Sequence, residues 1–175
     1  MDTTDIASNL ALVEIMVDGE GFADVELIRL PEGSTAREIV IAVATKYRFG
    51  PEEAFLFVED CEEPLDLAVI VESGMADKVH HVHRVQHVDV TVFYQGRHIE
   101  KRFSPATRVH RVLDWAVSSS SFNIDKAVAP EMELALQGSM TALPKDAHIG
   151  RYLRHPEHNL SFDLIRGVVP NGASL

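Results

Sequence analysis

A single cysteine, Cys61, leaves no partner for an internal disulfide, and no run of 18 apolar residues is present to span a bilayer. The opening MDTTDIASNL is acidic and lacks the basic and apolar regions of a secretory signal. A soluble, cytoplasmic protein of a reducing compartment is the expectation. Basic residues are also scarce, with 16 Lys and Arg against 27 Asp and Glu, a formal net charge of -11. That balance repels phosphate backbones and anionic lipid, so neither nucleic acid nor membrane is expected as a partner. Gly-rich phosphate loops and HExxH or GxSxG strings are missing, which leaves an enzyme reading without support and calls for no cofactor. What the chain does have is 46% apolar and 25% charged residues, near the average for globular protein, so disordered, collagen-like and disulfide-scaffold classes fall away. Its 175 residues leave one domain or two small ones open.

Internal similarity decides between those two. An alternating run from Leu12 to Val17, a turn at Asp18-Gly19-Glu20-Gly21 and a second run from Ala23 to Leu30 predict a hairpin. Thr35 followed by Glu38 is a capping-box pattern, and Ala36, Ile39, Val40, Val43, Ala44 and Tyr47 form one apolar stripe, so a helix runs to Tyr47. Short apolar runs at Ala54 to Val58 and Leu65 to Val71 and a strand from Lys78 to Val85 complete the unit. The pattern then returns. Val88, Val90 and Val92 alternate with Asp89, Thr91 and Phe93, a turn covers Tyr94 to His98, and Ile99 to Phe103 comes back. Ser104-Pro105-Ala106-Thr107 caps a helix carrying Val109, Val112, Leu113, Ala116 and Val117, and later strands lie at Met132 to Leu136 and Asn159 to Ile165. The reading is a flexible N-terminus at 1–9, a first unit at 10–85, a second at 86–165 and a flexible tail at 166–175. The connection Val85-Gln86-His87-Val88 holds no Gly, Pro or Ser run, which predicts a stiff tandem.

Strand, strand, helix, strands in about 75 residues resembles the ubiquitin-like β-grasp fold, an α+β class in which one helix covers one face of a mixed sheet. A ferredoxin-like alternative needs a second long helix in each unit, and the segment Asp125 to Glu131 is too short and is broken by Pro130. The run His81-Val82-His83-Arg84 leading into Val88-Asp89-Val90-Thr91-Val92, followed by Phe103-Ser104-Pro105-Ala106-Thr107, is similar to the tandem ubiquitin-like modifiers of bacterial operons. Those operons also encode E1-like, E2-like and JAMM-type peptidase proteins, and the architecture resembles the two-domain interferon-induced modifier of vertebrates. The resemblance implies a protein tag whose C-terminal glycine is exposed, activated and joined to an amine on a target protein, and it implies a link to antiphage defence. A non-covalent tandem scaffold is the alternative.

On the modifier reading the chemistry lies at the C-terminus, where an extended tail must thread a narrow cleft that favours glycine. Gly167 follows the last predicted strand too closely to enter another protein's active site. From Arg166 to Gly172, seven extended residues reach roughly 23 Å. Gly172 is therefore the preferred mature end, with Ala173, Ser174 and Leu175 as a removable extension, and Gly167 is the alternative. The competing view is an ordinary loose terminus, since Asn171-Gly172 is a common turn pair. Aligned on ubiquitin, the turn Gln137-Gly138 puts Ala135 at an exposed sheet position where ubiquitin has isoleucine, and Asp163 where it has valine. Dedicated partners are expected rather than general ubiquitin readers. Lys46, Lys78, Lys101, Lys126 and Lys145 are the five lysines available for chain linkage.

Other constellations read as structural. His80, His81, His83 and His87 cluster at the junction of the units, and alternation puts His81, His83 and His87 on one face. Such a pair binds zinc or nickel if a third ligand converges, but no Cys or second His pair stands at finger spacing, so a histidine-rich junction strand without metal is the expectation. Glu59, Asp60, Glu62 and Glu63 disfavour a thiolate at Cys61, which reads as a passive turn residue. Asp125, Glu131, Glu133 and Asp163 show no paired-carboxylate spacing. Ser118 to Ser121 reads as a loop, and Trp115 as core or interface.

Overall fold

The structure is a computed structural model that describes residues 11–167. In the first unit, strands β1 (Leu12–Gly19), β2 (Glu26–Pro31), β3 (Phe55–Val58) and β4 (Val79–His83) form a sheet in the order β2-β1-β4-β3, with helix α1 (Ala36–Tyr47) between β2 and β3. In the second, β5 (Val88–Tyr94), β6 (Arg97–Phe103), β7 (Met132–Leu136) and β8 (Asn159–Arg166) follow the order β6-β5-β8-β7, with helix α2 (Val109–Val117) between β6 and β7. In each sheet the two central strands are parallel and the outer pairs antiparallel. The chain is thus α+β, two tandem ubiquitin-like β-grasp units.

Local chemistry explains most of these elements. Ala36, Ile39, Val40 and Val43 face the sheet and close a core with Val13, Ile15, Val17, Leu56 and Val82. Full burial of each large aliphatic side chain contributes about 1.5–3 kcal/mol, which outweighs the middling helix propensity of a valine- and isoleucine-rich segment. The Thr35 amide donates to Glu38 Oε2 at 2.6 Å, closing one arm of the capping box, and Arg48 in the left-handed region at φ 60° ends the helix. The hairpin of β5 and β6 turns on Gln95 and Gly96, both at positive φ, between the paired Tyr94 and Arg97. Positive φ at both central residues is what a tight two-residue connection demands.

Four features differ from the sequence expectations. Asp18 and Gly19 belong to β1 rather than to a turn, because β1 extends to pair in parallel with β4, matching Asp18 to His81 and Gly19 to Val82. Leu65 to Val71 forms no strand of the sheet; its carbonyls at Leu67 and Val69 accept the Arg37 and Ala36 amides, so the segment satisfies the open N-terminus of α1. The strand at the end of the first unit stops at His83 instead of Val85. Thr107 does not cap α2; Arg108 occupies the N-cap position. The reason for the last lies in the other unit.

Candidate functional site

The C-terminal end of the second unit is built by β8, which lies between β5 and β7 and ends at Arg166. Gly167 follows directly. Its amide donates to the Glu131 carbonyl at 2.7 Å, and a Cβ there would stand 3.0 Å from Glu133 Cδ and 3.2 Å from the Glu131 carbonyl oxygen. Gly167 is thus tied to the body of the domain, and Arg166 pairs with Glu131 beside it. Gly172, Ala173, Ser174 and Leu175 lie outside the described residues. The outer face of this sheet carries Asp89, Thr91 and Phe93 on β5 opposite Asn159, Ser161 and Asp163 on β8. Its polarity sets it apart from an apolar reader patch. Ala135 is not exposed as the alignment suggests: it is fully buried, because the chain after β7 turns back to bridge Ala135 with Ala142, and Asp163 Oδ2 accepts the Gly138 amide at 2.8 Å.

The junction between the units holds a denser set of groups. Asp60 of the first unit sits at φ 59°, its amide donating to the Ala106 carbonyl at 3.1 Å. Its carboxylate accepts the Arg108 backbone amide at 3.0 Å and the Arg108 Nε at 2.7 Å. Glu62 Oε2 accepts the Ser104 amide at 3.1 Å. Position 111, where α2 would need the glutamate of a capping box, is Arg111. Asp60 therefore does from the first unit what Glu38 does within its own helix, receiving the N-cap amide and placing a negative charge at the positive helix end. Burial raises the Asp60 carboxyl, but the hydrogen bonds and charge of Arg108 outweigh it and hold it below the usual range. The carboxylates around Cys61 thus face the other unit, while Cys61 itself is exposed. Replacing Asp60 by alanine should cost about 2 kcal/mol, the sum of a lost cap and a charge-assisted bond. A urea-denaturation cycle with Arg108→Ala checks this, and a coupling below about 0.5 kcal/mol would show the pair to be incidental.

Beside this pair three imidazoles meet. His81 and His83 project from β4 away from the α1 core that holds Val82, and His148 arrives from the second unit, at the start of the 3₁₀ turn Ile149–Tyr152. The His81 and His148 rings lie 4.4 Å apart, and His83 and His148 5.1 Å. All three are at most 2% exposed. His148 Nδ1 faces Asp18 Oδ2 at 3.1 Å, and Arg151 donates to the same oxygen at 3.0 Å. Burial works against the Asp18 anion, but His148, the Gly19 amide and Arg151 together hold its carboxyl at about 2. Burial pushes His81 down to about 3 and His83 well below the ordinary histidine range, so both rings are neutral near pH 7. Both ring nitrogens of His81 and the Nε2 atoms of His83 and His148 have no hydrogen-bond partner within the protein. An unpartnered buried polar atom costs on the order of 1–3 kcal/mol, so this arrangement requires explanation.

Of the expected histidines, then, His81 and His83 share a face as alternation requires, and His148 is the ligand-type residue that sequence reasoning missed. His87 does not join them, because the chain leaves the strand after His83. His80 turns to the opposite side, its Nδ1 3.1 Å from the Lys78 carbonyl oxygen. Trp115 stacks edge-on against Phe103 at the rim of the second core, and Ser118 Oγ donates to the Trp115 carbonyl, ending α2.

With the geometry of the second unit established, comparison with known proteins bears on it. Residues 89–167 match the family of BilA ubiquitin-like domain 2. Among solved structures, the solution structure of the N-terminal ubiquitin-like domain in the 4931431F19Rik protein aligns with 41% of this chain and 72% of that one, at 16% identity and a TM-score of 0.33. No curated protein matches in sequence. The matched segment starts within β5 and ends at Gly167, so it takes in α2, His148 and the whole second sheet except Val88. Among the described residues no helix is long and apolar enough to cross a membrane.

Proposed function

We propose that this chain is a ubiquitin-like protein modifier, whose C-terminal glycine is exposed by a peptidase, activated by an E1-like enzyme and joined through an E2-like enzyme to amines on target proteins. The observation that supports the reading is the match of residues 89–167 to a ubiquitin-like domain family, and on this reading the tail beyond that unit is the reactive end. Gly172 is the conjugating residue. Gly167 suits that role poorly, since its amide is bonded to Glu131 and its neighbours crowd it. Five further residues, 168–172, add about 17 Å of reach at full extension. A JAMM-type peptidase removes Ala173-Ser174-Leu175, and the chain acts without catalytic chemistry of its own in a bacterial antiphage setting. The polar outer face around Thr91, Ser161 and Asp163 favours dedicated partners over general ubiquitin readers.

Co-expression of an N-terminally tagged chain with the E1-like, E2-like and JAMM-type proteins encoded beside its gene tests the proposal by intact mass. The expected result is loss of the last three residues together with higher-mass adducts. An unprocessed chain without adducts, in the presence of active partners, would overturn it in favour of a non-covalent tandem scaffold.

A further inference from the structure

We propose that His81, His83 and His148 form a binding site for a divalent transition metal, zinc in the first instance, that bridges the two units. One nitrogen from each ring lies within 4.8 Å of the others. Zinc bonds of about 2.0–2.1 Å bring three imidazole nitrogens to roughly 3.4 Å from one another in tetrahedral geometry, a contraction that small side-chain rotations supply. Imidazole ligands select zinc, nickel and cobalt over magnesium and calcium, which demand oxygen.

Two independent observations point to a ligand. The first is the set of four buried ring nitrogens without partners, of which a bound cation would satisfy three, one from each histidine, leaving one N–H of His81. The second is the orientation of His148: a proton on Nδ1 is donated to Asp18 Oδ2, which leaves the Nε2 lone pair for the shared space. A carboxylate behind a ligating imidazole fixes tautomer and ring angle in metal sites generally, and Arg151 holds that carboxylate in turn. Room for His83 comes from Gly150, where a Cβ would lie 2.4 Å from His83 Cε1 and 2.7 Å from its Nε2. A polar cleft of about 320 Å³, lined by Asp18, Glu59, His81, Asp146, His148 and Arg151, reaches two of the three imidazoles and would give an ion an entry path. The carboxylates around it offset the positive charge. Because His81 and His83 belong to one unit and His148 to the other, the bound ion fixes their relative orientation, and binding is linked to the stability of the pair.

The test uses the untagged full chain, stripped with EDTA and dialysed, then titrated with zinc chloride by calorimetry and with cobalt(II) in the visible spectrum. The expected result is one equivalent per chain, intensified cobalt bands and a zinc-dependent rise in Tm. His148→Gln and His83→Gln should lose stoichiometric binding and the Tm response, whereas His87→Gln and Cys61→Ser keep both. Asp18→Asn, which retains the shape of the junction, should weaken binding about 10- to 100-fold. Absence of stoichiometric uptake by the unmodified chain, uptake undiminished in folded His148→Gln, or loss in His87→Gln or Cys61→Ser would each overturn the proposal. None of these outcomes bears on the tail, so the modifier reading stands or falls separately.

Discussion

Leucine in place of Gly172 is expected to abolish adduct formation while the far-UV circular dichroism and Tm of the chain stay at their original values. On the proposed modifier reading, activation would bring the terminal carboxylate to a nucleotide through a channel shaped for a residue without a Cβ, and a branched side chain at the last position would block that approach. The same residue lies five positions beyond Gly167, the last described residue. Gly167→Ala supplies the comparison. There the added methyl meets Glu133 and the Glu131 carbonyl, so a small loss of stability is expected with conjugation intact. The readout is a gel and intact-mass series with the E1-like and E2-like partners. Adducts at the original level from Gly172→Leu, with none from Gly167→Ala, would move the reactive end to Gly167.

Valine at Gly150 should destabilise the full chain by about 3 kcal/mol, at the upper end of what overpacking costs. The added Cβ is directed at His83 and, 2.7 Å away, at the Pro105 carbonyl oxygen, which also accepts the Gly150 amide and so cannot withdraw. A side chain can rotate away; that backbone oxygen has no such freedom. The contribution of His83 is separable. In a His83→Ala background the same valine should cost at least about 1 kcal/mol less, because the ring no longer occupies the space. Equal costs in the two backgrounds, measured by urea denaturation, would mean that the collision with Pro105 dominates and that Gly150 does not serve as a seat for the imidazole.

What could be read from the sequence was local. Helix α1 runs over the residues that its apolar stripe and the Thr35 and Glu38 pair indicate, and β7 spans Met132–Leu136 as its run of side chains suggests, because each depends on contacts a few positions apart. The junction was illegible for the opposite reason. Asp18 meets Arg151 across 133 positions, and Asp60 meets Arg108 across 48. No periodicity relates such residues. Asp18 looked like a turn residue because Asp-Gly followed by Glu-Gly is turn chemistry, and only parallel pairing with β4 draws it into the sheet. The acidic run around Cys61 pointed only to a passive turn, because its basic partner Arg108 lies in the other unit. His148 stood in the sequence without a neighbouring histidine, and spacing rules for metal sites are blind to a ligand that a domain interface delivers.

The cap that Asp60 places on α2 has a geometric consequence for whatever handles this protein. A free β-grasp unit can be gripped from any side, but here the start of the second helix and the turn at 148–151 are already occupied by the first unit. On the modifier reading, an enzyme that reads the second unit finds those two places closed, with the outer sheet face and the edge formed by β6 among the surfaces left to it. Its approach is from the flank, and a partner selected on the isolated unit would be offered a doorway that the whole chain keeps shut.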